Sequence, residues 1–268
     1  MIQPSPGGAV VLVGCGRLGS AILEGWLATS TVRPDELIIL TPSDKPAAEA
    51  ARVRGARINP PLEALGDARA VVLAVKPAKW REALAPTLDH LPADTPFISV
   101  MAGVRAADIA AVAGRLVARA MPTTGVAQAR GVAGLWSDDE GAREAARGLF
   151  GTIADVVDLG EEAQMDAATA VAGSAPAFIH AFVQALARAG ETQGLSREAA
   201  GRLARGALRS AGAGVETPAT LDELIARVAS PGGTTRAGLD AMEAGGDLDR
   251  AARAAVDAAV ARAKEISG

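Results

Sequence analysis

The chain has 268 residues, 49% of them apolar, with a formal charge of −4 and one cysteine. That length supports one large or two smaller domains with a sizeable core, the charge leaves no basic face for nucleic acid, and the lone Cys15 excludes an intrachain disulfide, which suits a reducing compartment. No run approaches 18 consecutive apolar residues, so no membrane span is expected, and MIQPSPGG, without a basic segment before an apolar core, reads as a short lead-in that leaves cytoplasm as the default location.

The first expected strand, Ala9–Val13, empties into Gly14, Gly16 and Gly19, with a helix expected over Arg17–Ala28. A G-x-G-x-x-G between strand and helix reads as a dinucleotide loop, the alternative being an ordinary strand–turn–helix corner. Gly14 permits the tight turn, Gly16 lets the backbone approach a pyrophosphate, and Gly19 lets the helix pack against the strand. Cys15, Arg17 and Leu18 fill the loop, and the helix N-terminus offers N–H groups to phosphate. Further strands are expected at Glu36–Thr41, Ala70–Val75, Phe97–Val100, Leu116–Met121, Val132–Trp136 and Ile153–Asp158. Helices are expected between several of them, at Ala47–Val53, Trp80–Leu84 and Ala106–Leu116. This alternation argues for a doubly wound, mainly parallel sheet over residues 1–160, an α/β class of Rossmann-like type.

From residue 161 to 268 helical periodicity replaces strands. Phe178 and Phe182, then Ile179, Val183 and Leu186, repeat at helical spacing, as do Leu221, Leu224, Ile225 and Val228. Helices are expected at about 162–189, 196–215, 220–229, 233–244 and 247–266, with Ser196 and Thr220 as N-caps. An all-α half rich in small Ala side chains points to packing against a second copy of itself.

Ligands of open α/β sheets bind beyond the strand C-termini. At the end of the second strand no acid stands ready for a ribose, since Asp35 and Glu36 lie at the opposite end. Thr41, Ser43 and Lys45 suit a 2′-phosphate, so NADP(H) is preferred, while Asp44 turned toward the ribose leaves NAD(H) open; the alternative is a plain surface turn. Ala74-Val75-Lys76-Pro77 closes the next strand candidate and places Lys76 to meet the cofactor, its alternative being a solvated lysine. Met101-Ala102-Gly103 stands in the same position one strand further on. Thr123 and Thr124 follow the strand after that, either donating to a nicotinamide amide or capping a turn. Ser230-Pro231-Gly232-Gly233-Thr234-Thr235 joins two expected helices: either an anion nest suited to a carboxylate, with two hydroxyls added, or a glycine helix break. His90 and His180 lack metal-ligand spacing, and neither G-x-S-x-G nor H-E-x-x-H occurs. Hydride transfer needs none of these groups.

Taken together, GCGRLGSAILEG, AVKP, SVMAGV, RAMPTT, AGSAPAF and SPGGTT resemble, in order along nearly the whole chain, the signature segments of the pyrroline-5-carboxylate reductase family. The resemblance implies a Rossmann domain followed by an all-α dimerisation domain that interlocks with its twin, with dimers assembling further, commonly into decamers. It implies reduction of 1-pyrroline-5-carboxylate to L-proline by hydride transfer from NAD(P)H to C5 of the ring imine. By the same likeness Ser230 and the amides of Gly232, Gly233 and Thr234 hold the substrate carboxylate. The Thr235 hydroxyl hydrogen-bonds the ring nitrogen, and Lys76 joins Thr235 as a catalytic candidate. The chain departs from the family pattern MPNTP at Thr123 and Gly125, and from SGSGPAY at Ala172, Ala175 and Phe178. A reductase for another cyclic imine and a catalytically silent NADP(H)-binding protein fit parts of the same pattern, the second less well because a sensor needs no carboxylate nest.

Overall fold

The computed structural model describes residues 7–267. Its N-terminal part alternates β1 (Ala9–Val13), α1 (Arg17–Thr29), β2 (Leu37–Leu40), α2 (Pro46–Val53), β3 (Arg57–Ile58), β4 (Ala68–Leu73), α3 (Trp80–Leu84), β5 (Phe97–Ser99), α4 (Ala106–Ala113), β6 (Val117–Pro122), β7 (Gly131–Trp136), α5 (Glu140–Phe150) and β8 (Ala154–Asp158). The strands form one sheet in the order β3-β2-β1-β4-β5-β6-β7-β8. Pairing is parallel throughout except between β6 and β7. The order reverses at β1, which is flanked by β2 and β4, and that topological switch is where such sheets take ligands.

Strand alternation sorts the core into two layers. Val10 and Leu12 of β1 pack with Ile22 and Trp26 of α1 and Phe150 of α5, while Val11 and Val13 face the opposite layer of Leu73, Trp80, Phe97 and Ile109. The Trp26 indole N–H donates to the Leu149 carbonyl at 2.7 Å, so the largest buried ring on this face has its one polar atom satisfied.

Two elements of this part go beyond the sequence reading: the two-residue β3, too short to show a period, and α5. The helix α5 starts on Asp139, whose carboxylate accepts the Ala142 N–H at 2.7 Å, and buries Ala142, Ala146, Leu149 and Phe150 along one face. The helix expected to run to Leu116 stops at Ala113, because Gly114 takes the left-handed conformation (φ 61°) and closes the last turn onto Ala110.

The remaining chain is helical: α6 (Met165–Ala168), a π-helical turn at Thr169–Ser174, α7 (Ala175–Thr192), α8 (Arg197–Val215), α9 (Leu221–Val228), α10 (Thr234–Glu243) and α11 (Asp247–Ser267). The long helix expected from residue 162 is present as one helical run to Thr192, and its α winding gives way to the π stretch just ahead of Pro176, which has no N–H and sits in the first turn of α7. Ser196 and Thr220 cap α8 and α9 as expected, Thr220 in a reciprocal capping box with Glu223. Contacts divide the chain into two compact units, one running to Gly173 and taking back the chain from Ala259, the other spanning Ser174–Ala258. Within the second unit α7 packs on α8 through Ala200 and Ala204, yet Phe178, Ile179, Phe182, Leu203, Leu221 and Val228 stay exposed. Among the described residues one helical run, Glu162–Thr192, is long and apolar enough to cross a membrane, with a mean hydropathy of 1.4 over its most apolar window.

Candidate active site

The glycine loop lies at the switch point, tied to both neighbouring strands. Gly14 N–H donates to Leu40 O and Ala74 N–H to Val13 O, each at 2.8 Å, so the tips of β1, β2 and β4 are stitched together. Gly14 has φ +97°, and a Cβ there would stand 2.6 Å from Ala74 O and 2.8 Å from the Val75 side chain. A Cβ on Gly19 would collide with Gly14 O. Gly16 is different: it is exposed, φ is −73°, and a Cβ would meet nothing within 4 Å. It is the N-cap of α1, has no side-chain cap, and is followed by a first turn without acidic residues. The first N–H groups of a helix have no partner inside it. An open space over a glycine, at an uncapped and uncharged helix N-terminus, is a cradle of pyrophosphate type. The residues present therefore fit a dinucleotide. Cys15 is buried beside it, its Sγ 3.4 Å from Ser20 Oγ, in keeping with a loop filler; Arg17 is exposed and Leu18 half-buried.

Thr41, Ser43 and Lys45 line a cavity of about 660 Å³ with Asp44, Ile58 and Asn59. Asn59, from the end of β3, was not singled out by the sequence. Its Oδ1 accepts the Thr41 N–H at 2.9 Å and its Nδ2 donates to Thr41 O at 2.8 Å, while Thr41 Oγ1 donates to Ser43 O at 3.1 Å. Asn59 itself has φ +43°, a conformation Asn tolerates better than most residues. Glu49, also lining the cavity, is bound at both carboxylate oxygens by Arg52, which holds its carboxyl below the usual range.

Ala74, Val75, Lys76 and Pro77 follow β4 directly, with Ala74 and Val75 against the glycine loop and Lys76 exposed. Met101-Ala102-Gly103 follows β5, and Gly103 turns the chain at φ +74°. Beyond β6, Thr123 is buried; its N–H donates to Val132 O at 2.9 Å and its hydroxyl oxygen accepts the Val132 N–H at 3.2 Å. That hydroxyl extends the β6–β7 ladder, which leaves its proton and one lone pair for a ligand. All these segments stand at C-terminal ends of parallel strands, so the fold gathers on one sheet edge what the sequence holds far apart.

The second unit carries the SPGGTT segment. Gly233 N–H closes a turn onto Ser230 O at 3.0 Å, Gly232 sits at φ +70°, and Gly233 is the N-cap of α10. Ser230, Gly232, Thr234 and Thr235 are exposed, and the first turn of α10 holds no acid. The turn thus presents backbone N–H groups and two hydroxyls with no nearby carboxylate in its own helix turn. Among the described residues no cluster of three His, Cys, Asp or Glu side chains forms a metal site.

Comparison with known proteins bears on this geometry. A family profile described as pyrroline-5-carboxylate reductase dimerisation matches residues 162–266, and one described as NADP oxidoreductase, coenzyme F420-dependent, matches residues 9–103. A pyrroline-5-carboxylate reductase from Thermus thermophilus is 38% identical over 271 residues, covering 96% of this chain and 98% of the relative. The chain belongs to the pyrroline-5-carboxylate reductase family. The solved structure of a pyrroline-5-carboxylate reductase from Coxiella burnetii is 28% identical with a TM-score of 0.87, covering 97% of this chain and 99% of that one. A Plasmodium falciparum pyrroline carboxylate reductase, solved with NADP bound, shares the fold at a TM-score of 0.78 and 23% identity, covering 97% and 98% of the two chains. Family membership places this chain among the NAD(P)H-dependent oxidoreductases with a Rossmann-like sheet and an all-α dimerisation domain. Against the family pattern, Gly125 has a local reason: a Cβ there would stand 2.7 Å from Arg130 O, so the turn Thr124–Gln128 is built around a residue without one.

Proposed function

We propose that this chain reduces 1-pyrroline-5-carboxylate to L-proline, the last step of proline biosynthesis, with NADPH preferred over NADH. Residues 1–160 carry the cofactor, and residues 161–268 carry the substrate anion and the dimer interface. The SPGGTT turn bears the reading most directly, because an exposed N–H cradle with two hydroxyls suits a small carboxylate carrying a polar ring atom.

Gly14, Cys15, Gly16, Arg17, Leu18 and Gly19 receive the pyrophosphate, and Ser43 and Lys45 the 2′-phosphate, with Thr41, whose N–H and hydroxyl proton are spent on Asn59 Oδ1 and Ser43 O, shaping the loop. Ala74, Val75, Lys76, Pro77, Met101, Ala102, Gly103 and Thr123 meet the nicotinamide half, with Lys76 supplying positive charge. When bound, the reduced nicotinamide supplies the hydride that goes to C5 of the ring. Ser230 and the amides of Gly232 and Thr234 hold the substrate carboxylate, while the Gly233 N–H, which the sequence reading also assigned to it, is spent on Ser230 O and shapes the turn. The Thr235 hydroxyl hydrogen-bonds the protonated ring nitrogen and keeps C5 electrophilic. The chain's contribution is placement and electrostatics, with no covalent nucleophile.

The exposed apolar side chains of Phe178, Ile179, Phe182 and Leu186 are assigned to a second copy rather than to a bilayer, since the dimerisation profile covers them. Dimers then assemble further, up to decamers, in the cytoplasm; the net charge of −4 supports no nucleic-acid role. The test is NADPH oxidation by purified protein with 1-pyrroline-5-carboxylate, beside NADH and a six-membered imine. Fastest oxidation with the five-membered ring and NADPH is expected. Bound NADPH without turnover on any cyclic imine would overturn the reading.

A further inference from the structure

Arg119 of β6 is a cation almost out of water, its side chain 5% exposed, and it faces Glu162, 16% exposed, at 3.1 Å. The other arm of the guanidinium donates to Met101 O at 3.2 Å, while its buried Nε has no partner. The same Glu162 oxygen also accepts the N–H of Ala106, the first residue of α4, at 2.7 Å. The two side chains therefore grip both ends of the loop between β5 and α4. The Arg119 arm takes the carbonyl that opens Met101-Ala102-Gly103, and the Glu162 carboxylate takes the first N–H beyond Arg105.

Burying an ion pair is costly, and an incompletely satisfied guanidinium more so, so apolar packing would serve plain stability better. The pair also borders a cavity of about 460 Å³ lined by Gly103, Arg105, Asp166 and Lys264. Met101 and Val104 anchor the loop's side chains in the core, while two charge-assisted bonds fix its backbone, and backbone is what a cofactor segment must hold still.

We propose that Arg119 and Glu162 are positioning residues that set the Met101–Gly103 backbone for the nicotinamide half of the dinucleotide without touching the reactants. This rests on the cofactor reading above. It predicts a split between the two halves of the cofactor, because the cavity at Thr41–Lys45 is built without either residue.

The experiment compares wild type with Arg119→Met, Arg119→Lys and Glu162→Gln by titration with NADPH and with 2′,5′-ADP, which carries only the adenine half. Arg119→Met should weaken NADPH by about tenfold, the loss of one charge-assisted bond, and leave 2′,5′-ADP within about twofold. Arg119→Lys keeps the charge but reaches fewer partners and should recover part of the loss. Glu162→Gln keeps an oxygen for the Ala106 N–H and should fall between; it carries the test if Arg119→Met does not fold. Parallel weakening of both ligands, or wild-type binding of both, overturns the proposal. Wild type that binds 2′,5′-ADP but not NADPH would instead defeat the cofactor reading itself.

Discussion

The three glycines of the loop make different demands, and alanine substitution separates them. At Gly16 a Cβ points into open space at an ordinary φ, so Gly16→Ala costs the fold little. Replacing an N-cap glycine with alanine loses up to about 1 kcal/mol, and the stiffer unfolded chain returns about 0.4–1 kcal/mol. The net change is near zero, and the melting temperature should stay within about 3 °C of wild type. The same methyl occupies the ground over which phosphate oxygens approach the helix N–H groups. Each charge-assisted bond lost there is worth about 1.5–3 kcal/mol, so NADPH affinity should fall by roughly 10- to 150-fold per bond. Gly14→Ala inverts the pattern. The φ of +97° costs an L-residue about 1–2 kcal/mol, and the clash with Ala74 O adds about 1–3 kcal/mol of overpacking. That variant should melt lower with or without cofactor. Thermal melts of the cofactor-free proteins and fluorescence titration with NADPH read both quantities. A Gly16→Ala protein with wild-type NADPH affinity, or a Gly14→Ala protein as stable as wild type, would refute the reasoning.

Three further outcomes follow from the same geometry. Ser43→Glu places a carboxylate in the cavity assigned to the 2′-phosphate, so the preference for NADPH over NADH should drop by about 5-fold or more in steady-state kinetics; an unchanged ratio would show that this loop does not read the phosphate. Asn59→Ala removes both side-chain bonds to the Thr41 backbone, so about 1–3 kcal/mol of stability should be lost, read by denaturant titration, with weaker 2′,5′-ADP binding alongside. Thr235→Ala should lower kcat by roughly 10- to 100-fold, one hydrogen bond to a charged group, while the dissociation constant for NADPH stays close to wild type; equal loss of both would end its assignment to the ring nitrogen.

Most of the sheet was legible because its strands are short, largely apolar runs, with polar residues such as Arg69 in β4, Arg119 in β6 and Asp155 in β8 too few to hide them. The helix α5 is legible in principle, though its signal is weak. Ala142, Ala146, Leu149 and Phe150 keep helical spacing behind the capping Asp139, but Gly141, Gly148 and the four charged residues Glu140, Arg143, Glu144 and Arg147 mask the stripe. The pair β3 was not legible at all, since two residues carry no period and Arg57–Ile58 becomes a strand only by pairing with Ile38 and Ile39. The π stretch at Thr169–Ser174 was likewise hidden, because the apolar spacing continues through it and shows the helix without its local change of winding.

The site divides along the same line. Gly14, Gly16 and Gly19, and the SPGGTT turn, announce themselves because their work is done by backbone: which φ is allowed, how close a chain can come, where N–H groups point. Those demands are local and leave a local spacing. Asn59, Arg119 and Glu162 work by holding someone else's backbone, and their partners lie elsewhere in the chain. Thr41 is 18 positions from Asn59, Met101 is 18 from Arg119, and Ala106 is 56 from Glu162. No spacing rule connects such pairs before the sheet order is known. Once β2 lies beside β3 and β5 beside β6, Asn59 and Arg119 fall beside the loops they hold, while Glu162 comes from the turn after β8. A polar side chain bonded to the backbone of a loop at this sheet is therefore the place to look for what steadies a ligand segment, and Arg119 carries the heaviest burial cost of the three because it is the more deeply buried of the two charges.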